Sequence, residues 1–540
     1  MARLYQPPRV DIPRSTFQRN HSYKSTFDSA QLVPFFVDEA LPGDTFNLKC
    51  SLFARLSTPI VPIMDNLYMD VHFFAVPNRL VWDNWQKFCG EQENPGDSTD
   101  YIVPSFPPGT GWGEGTLADY FGLPTEAWPV GQPQPSALPF RAYKLIWNQW
   151  FRDQNLQNSL VVDKDDGPDD PAQNTALLKR GKRHDYFTSC LPWPQKGPGV
   201  DIPIGQLPVR TSATDLITGA QSNPARWANA AGGFPGSSLT IATGSGVNSG
   251  AFGQTATAGT MAGGAQMHPV NLYADGGNAV TGTGGTINDL RQAVAIQRLL
   301  EKDARGGTRY IELLKAHFGV TSPDARLQRS EYLGGQSIPI HINPIAQTSP
   351  TASDPATGYA KTPQGNLAAV GVGAANGVGF TKSFVEHCII IGLVSIRADL
   401  SYQQNMNRMW TRKTKHEFYW PSLAHLGEQA VYNYEIYGGN ANPMGVFGYQ
   451  ERWAEYRYKP SQVTGKFRSN ATGTLDWWHL AQDFGATPPT LGATFIEDKP
   501  PVERIVAVKD EPEILFDSYM DLKCARPMPL YSVPGLMDHF

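Results

Sequence analysis

The sequence predicts a β-protein: one large sandwich-like framework interrupted by long loop insertions and by a few short helices. Three observations carry that expectation. Glycine and proline are abundant, 52 and 44 of 540 residues, which is heavy punctuation for a helical chain. Apolar and polar residues alternate near both ends of the sequence, as half-buried strands require. Helical spacing of apolar residues is confined to short segments between those ends.

In chain order, residues 1–27 come first. They carry Arg3, Arg9, Arg14, Arg19 and Lys24 against a single acid, Asp11, and Pro7, Pro8 and Pro13 exclude a continuous helix. They read as an extended basic arm, either a solvated tail or a segment that meets a polyanion. Framework is expected over 28–204. Phe46, Leu48, Cys50, Leu52, Ala54 and Leu56 share one side of a period-2 pattern, and Leu67, Met69, Val71 and Phe73 repeat it before Pro77 and Asn78 stop the strand. A helical insertion near 140–156 places Tyr143, Ile146, Trp147 and Trp150 on one face, a stripe expected to pack as core.

Residues 205–286 read as a surface insertion. No Asp, Glu, Lys or Arg occurs from Trp227 to Ala274, yet Trp227, Phe234, Phe252 and Tyr273 lie in or beside that span. A solvated linker usually carries charge, so the segment is expected to order against copies of itself. Over 287–540 framework resumes. One helix should start near Asn288, pack Ile296, Leu299 and Leu300, and stop at Gly306 and Gly307. Another should run from Thr308 to Phe318, burying Ile311, Leu314 and Phe318 and ending at Gly319. A Gly/Ala-rich loop is expected at 351–380, a strand covered on both faces at Cys388–Val394, and a last alternating strand through Ile514, Phe516, Ser518, Met520, Leu522 and Cys524.

Composition limits the function classes. Hydrophobic residues reach 41% and charged ones only 18%, so the chain can bury a core. A net charge of −5 excludes a uniformly basic nucleic-acid binder and leaves only local contacts. The cysteines Cys50, Cys89, Cys190, Cys388 and Cys524 form no CxxC pair and read as buried free thiols. The start of the sequence lacks the apolar core of a signal peptide, and its longest apolar run is too short to span a bilayer. No HExxH, P-loop or GxSxG motif occurs, so no catalytic residue, metal or cofactor is expected. The acidic stretch Asp163, Asp165, Asp166, Asp169 and Asp170 departs from a calcium loop at its glycine and at its last ligand; a solvated turn is expected. His184, beside Lys182, Arg183 and Asp185, is read as an ordinary surface or packing residue, as is His387, which cannot pair with Cys388 if both lie on one strand.

One cluster has the residue types of a single-strand binder: Arg408, Arg412, Lys413 and Lys415, interleaved with Trp410, Phe418, Tyr419 and Trp420. Cations neutralise phosphates and aromatic faces stack on unpaired bases. The same residue types also enrich protein interfaces.

The blocks PRSTFQRNHSYKSTFD, PFRAYKLIWNQWFRDQNL (139–156), DARGGTRYIELLKAHFGVTSPDARLQRSEYLGG (303–335), FGYQERWAEYRYKPSQVTGKFRS (447–469) and LDWWHLAQDF (475–484) resemble the major capsid proteins of gokushoviruses, within the Microviridae. The resemblance runs in order from about residue 10 to the C-terminus and weakens in 205–286 and 351–380. It implies an eight-stranded antiparallel jelly roll with insertions, copies of which form an icosahedral shell around circular single-stranded DNA. It also implies partners: an internal scaffolding protein, a DNA pilot protein, a small basic DNA-binding protein and a bacterial surface receptor. The basic arm would face the interior, and 205–286 would form protrusions at the three-fold axes that meet the host. Jelly rolls also build lectins and glycosidases, so a glycan-binding or glycan-cleaving protein is the competing reading.

Overall fold

The computed structural model of the chain describes residues 13–106, 112–126, 133–171, 176–200, 287–320, 328–350 and 362–531, with the backbone of four short strands between 201 and 286. Contacts divide the chain into two units, residues 1–196 with 301–540, and residues 197–300.

The first unit is built on one curled antiparallel sheet. Its strands are β1 (Ser15–Gln18), β2 (His21–Phe27), β3 (Val33–Ala40), β4 (Thr45–Leu56), β5 (Leu67–Pro77), β6 (Glu331–Ala346), β7 (Leu367–Ser383), β8 (Cys388–Ala398) and β9 (Ile514–Arg526). Hydrogen bonding gives the order β1-β9-β4-β7-β6-β5-β8-β3, with β2 also on β9. β1 and β2 hold one common register on β9, from Ser15 opposite Arg526 to Phe27 opposite Ile514. They are one edge strand broken at Arg19 and Asn20, where the Asn20 side chain accepts the Leu522 N–H at 3.1 Å. Counted so, the sheet has the eight strands of a jelly roll.

The alternation expected in β4 and β9 is present residue for residue, inward side chains buried and outward ones mostly exposed. Strand β8 is buried along its whole length. β6 turns the corner between the two halves: Glu331–Ile340 pair with β5 and His341–Ala346 with β7. The curl then packs the sheet against itself. Phe35 of β3 meets Phe516 of β9 at 5.6 Å and Phe73 of β5 at 5.7 Å, and Phe73 meets Phe380 of β7 at 5.4 Å. Such rings bury large apolar areas in edge-on contact.

A second core covers the outer face of β5 and β8. It joins Phe74, Ile389, Ile391 and Leu393 to Trp82, Phe140, Tyr143 and Trp147. The last three come from helix α1 (Leu138–Ile146) and the wider turn Trp147–Phe151 that continues it. The Tyr143 hydroxyl donates to the Leu32 carbonyl at 2.7 Å. Trp150, the fourth residue of the expected stripe, is 40% exposed.

Several expectations are corrected. Residues 15–18 and 21–27 of the basic arm are strands of the sheet and not a solvated tail. Residues 367–380, expected as loop, belong to β7, while 351–361 lie outside the described residues. The acidic stretch is a solvated turn only in part: Asp165, Asp166 and Asp170 are exposed, but Asp169 is buried and with Asp165 holds the fully buried Arg141, at 2.5 and 3.2 Å, and Asp166 accepts the Trp82 indole N–H at 2.7 Å. A buried guanidinium needs such partners, which accounts for Asp169 and Asp165. Helices α2 (Ile287–Arg305) and α3 (Tyr310–Phe318) form where expected, and Gly319 ends α3 with φ 70°. Yet Ile296, Leu299 and Phe318 are exposed, because periodicity records an apolar face and not what covers it. Cys89 is exposed, unlike the other four free cysteines.

In the second unit, Val209–Thr211 pairs with Leu272–Ala274, and Trp227–Asn229 pairs inside it with Met267–Pro269. The nesting brings the two ends of the segment together, as an insertion requires.

Candidate nucleic-acid interface

Residues 407–423 run from β8 toward the strand pair Glu428–Tyr432 and Val446–Glu451 as three short turns, Arg408–Trp410, Lys415–Glu417 and Pro421–Leu423. Asn407 accepts the Met409 N–H at the start of the first turn (2.9 Å), and Glu417 accepts the N–H groups of Lys413 and Thr414 in the second. These local bonds replace a helix or strand, since Ser, Thr and Asx side chains compete for backbone groups. Such a segment displays its side chains at close spacing.

The cluster splits into two pairs. Arg408 lies inward, 3.2 Å from Glu435, donating to the Ala430 carbonyl at 2.5 Å with its guanidinium 5.0 Å from the Tyr432 ring. Arg412 is 2.9 Å from Glu455 and 4.2 Å from the Tyr456 ring. Burial pushes the Glu435 carboxyl above its ordinary value, against the pull of Arg408. Both arginines are therefore spent in holding the segment on the fold. Lys413 and Lys415 are exposed, the latter 5.0 Å from the Trp420 ring. Around them Trp410 is 73% exposed, and Phe418, Tyr419 and Trp420 each nearly half. Exposed cations among exposed rings can neutralise phosphates and stack bases. Tyr456 and Tyr458, also half exposed, extend the patch; their signal lay in the alternating basic and aromatic residues from Arg452 to Lys459, which spacing alone does not bring beside 408–420.

The other expected contacts are distributed. Arg14 donates to Thr45 Oγ1 at 2.7 Å, Arg19 pairs with Asp38 at 2.5 Å, and Lys24 pairs with Asp517 at 3.0 Å on the exposed face. Arg3 and Arg9 lie outside the described residues, as do Phe234 and Phe252. Trp227 and Tyr273 sit in the two nested strand pairs. Among the described residues no group of acidic, His or Cys side chains could hold a metal ion, and no helix is long and apolar enough to cross a membrane.

A family described as Capsid protein (F protein) matches residues 6–536. Capsid protein VP1 of Bdellovibrio phage phiMH2K is 46% identical over 99% of this chain and 98% of its own length. The proteins of the same description from Chlamydia phage 1 and Spiroplasma virus 4 are 42% and 38% identical, again over at least 96% of both chains.

Proposed function

The chain belongs to the family of the phage capsid F protein, and on that premise we propose that copies of it form an icosahedral shell around a circular single-stranded DNA genome. That it is a capsid protein, a structural constituent of the virion and not an enzyme, follows from membership itself. The observation that carries the rest is the full-length match to capsid proteins of three bacterial viruses. A shell subunit needs a rigid framework plus several heterologous surfaces that close around symmetry axes. The jelly roll supplies the first; the exposed apolar residues of α2 and α3, such as Leu299 and Phe318, suit the second.

In this reading Arg3, Arg9 and Arg14 supply cations to the packaged genome from the inner surface, together with Lys413 and Lys415. Arg19 and Lys24 are partly spent on Asp38 and Asp517, and Arg408 and Arg412 act by positioning the patch. Residues 205–286 form protrusions at the three-fold axes that meet a bacterial surface receptor. An internal scaffolding protein, a DNA pilot protein and a small basic DNA-binding protein complete the assembly.

The test is coexpression with the scaffolding protein, followed by electron microscopy and sedimentation. Uniform closed shells are expected, and replacing Arg3, Arg9 and Arg14 with Ala should leave shells intact with less DNA per particle. A small oligomer that never closes would refute the shell, and unchanged DNA content would refute the role of the arm.

A further inference from the structure

The outer face of β2, β4 and β9 carries a hollow of about 910 Å³. Phe53 of β4 and Leu515 of β9 form its apolar floor, 44% and 48% exposed. The short helix Leu117–Tyr120 and the turn before it close one side. Carboxylates rim it: Asp28, Glu114, Asp119 and Asp517. Asp119 accepts the Gly115 N–H at 2.9 Å and Asp28 the Glu513 N–H at 3.3 Å, which fixes both in place. Lys24 is the one cation among the described lining residues, and Asp517 holds it at 3.0 Å. The hollow therefore joins exposed apolar side chains to an excess of negative charge.

Helix α2 presents a surface of the opposite kind. Arg291, Arg298 and Lys302 recur seven and four residues apart, which sets them on one helix face. All three are exposed and have no ion-pair partner among the described residues, whereas Arg305 on the same face is spent on Glu428. Leu290 and Val294 flank this stripe on one side and Leu299 on the other, each 45 to 51% exposed. Within a single chain neither the hollow nor this helix face is covered.

We infer that the hollow of one copy receives the basic face of α2 from a neighbouring copy, with Leu290 and Val294 on Phe53 and Leu515 and with Arg291, Arg298 and Lys302 among the rim carboxylates. This deepens the shell reading and rests on it: a shell closes through contacts between unlike surfaces of identical subunits, and these two surfaces match in both charge and polarity. Apolar anchors one turn apart on an amphipathic helix, laid into an apolar groove, are a recurring mode of recognition. An apolar centre with a polar rim is the usual anatomy of a specific interface. The chemistry selects this occupant. An unstructured polycation would use the carboxylates but leave Phe53 and Leu515 in water, and a wholly apolar segment would cover the carboxylates without pairing them.

The test is charge exchange in the full chain, coexpressed with the scaffolding protein. Glu114→Lys/Asp517→Lys reverses the hollow, Arg291→Glu/Arg298→Glu reverses the helix, and a combined form carries all four substitutions. Each reversal alone should lower the yield of closed shells, read by sedimentation, by about tenfold or more, because like charges then face each other across the contact. The combined form should recover most of that yield, since opposite charges meet again with their places exchanged. Melting temperatures of the unassembled chains should barely move, because the four side chains lie at the surface. Shells at normal yield from either single reversal would overturn the pairing and leave the shell reading standing. Losses that the combined form does not restore would assign the hollow to a different basic segment and overturn the pairing likewise. Failure of the unaltered chain to close would overturn the shell reading, and the pairing with it.

Discussion

Strands β9 and β8 lie in the same sheet at similar length, yet β9 alternates inward and outward residues throughout while every residue of β8 is buried. The difference is what covers the outer face. On the half formed by β9 and β4, side chains such as Phe53, Leu515 and Tyr519 point outward and are 44 to 48% exposed. On the half formed by β5 and β8 the outer face carries α1 and its own core of tryptophan, phenylalanine and tyrosine rings. An antiparallel sheet can leave one face to solvent and stay stable on the other. The covered half shows the cost of the alternative, because it must also take charge out of water: Arg141 with Asp169, and Asp70 with Arg180 and Arg397, at 2.5 to 2.8 Å.

That contrast can be broken at its strongest point. Arg141→Met should destabilise the chain by about 3–5 kcal/mol, because Asp169 is left buried without its partner; a urea unfolding midpoint close to that of the unaltered protein would show that the covered half does not depend on the pair. A smaller effect concerns acid. Burial pushes the Asp498 carboxyl up to about 6, against the nearby charges of Arg180 and Lys182. The folded state then binds this proton more tightly than the unfolded state. Its contribution is fully present below about pH 4 and is lost as pH rises through about 6, a change of about 3 kcal/mol. Asp498→Asn should remove that slope, and unfolding midpoints that fall in parallel for both proteins between pH 4 and 7 would contradict the assignment. The smallest effect belongs to the bare half: Phe53→Ser and Tyr519→Ser should each change stability by about 0.5 kcal/mol or less in the isolated chain. A larger loss would mean that this face is covered after all.

The same contrast decides what the sequence discloses. β4 and β9 were legible because a bare outer face forces alternation, and β8 because a doubly buried strand reads as a continuous apolar run. β7 was not, since its Gly/Ala sequence resembles a loop. Its small residues are required by close approach: a Cβ on Gly379 would come within 2.0 Å of the Leu48 carbonyl oxygen. The broken edge strand was hidden by its basic and polar residues, which suit an edge that must not recruit another strand. In the candidate interface, residue types identified the segment, but nothing local told Arg408 and Arg412 from Lys413 and Lys415. The acids that capture the two arginines, Glu435 and Glu455, come from later elements, and only the fold brings them together.

On the proposed function, the exposed cations and rings of the 407–423 segment meet the packaged genome. Cryo-electron microscopy of assembled, DNA-containing shells tests it most directly. Lys413, Lys415 and Trp410, exposed on the 407–423 segment, should face the interior, with density for unpaired nucleotides beside them. Those residues on the outer surface, or sealed against a neighbouring subunit with no nucleic acid beside them, would contradict it.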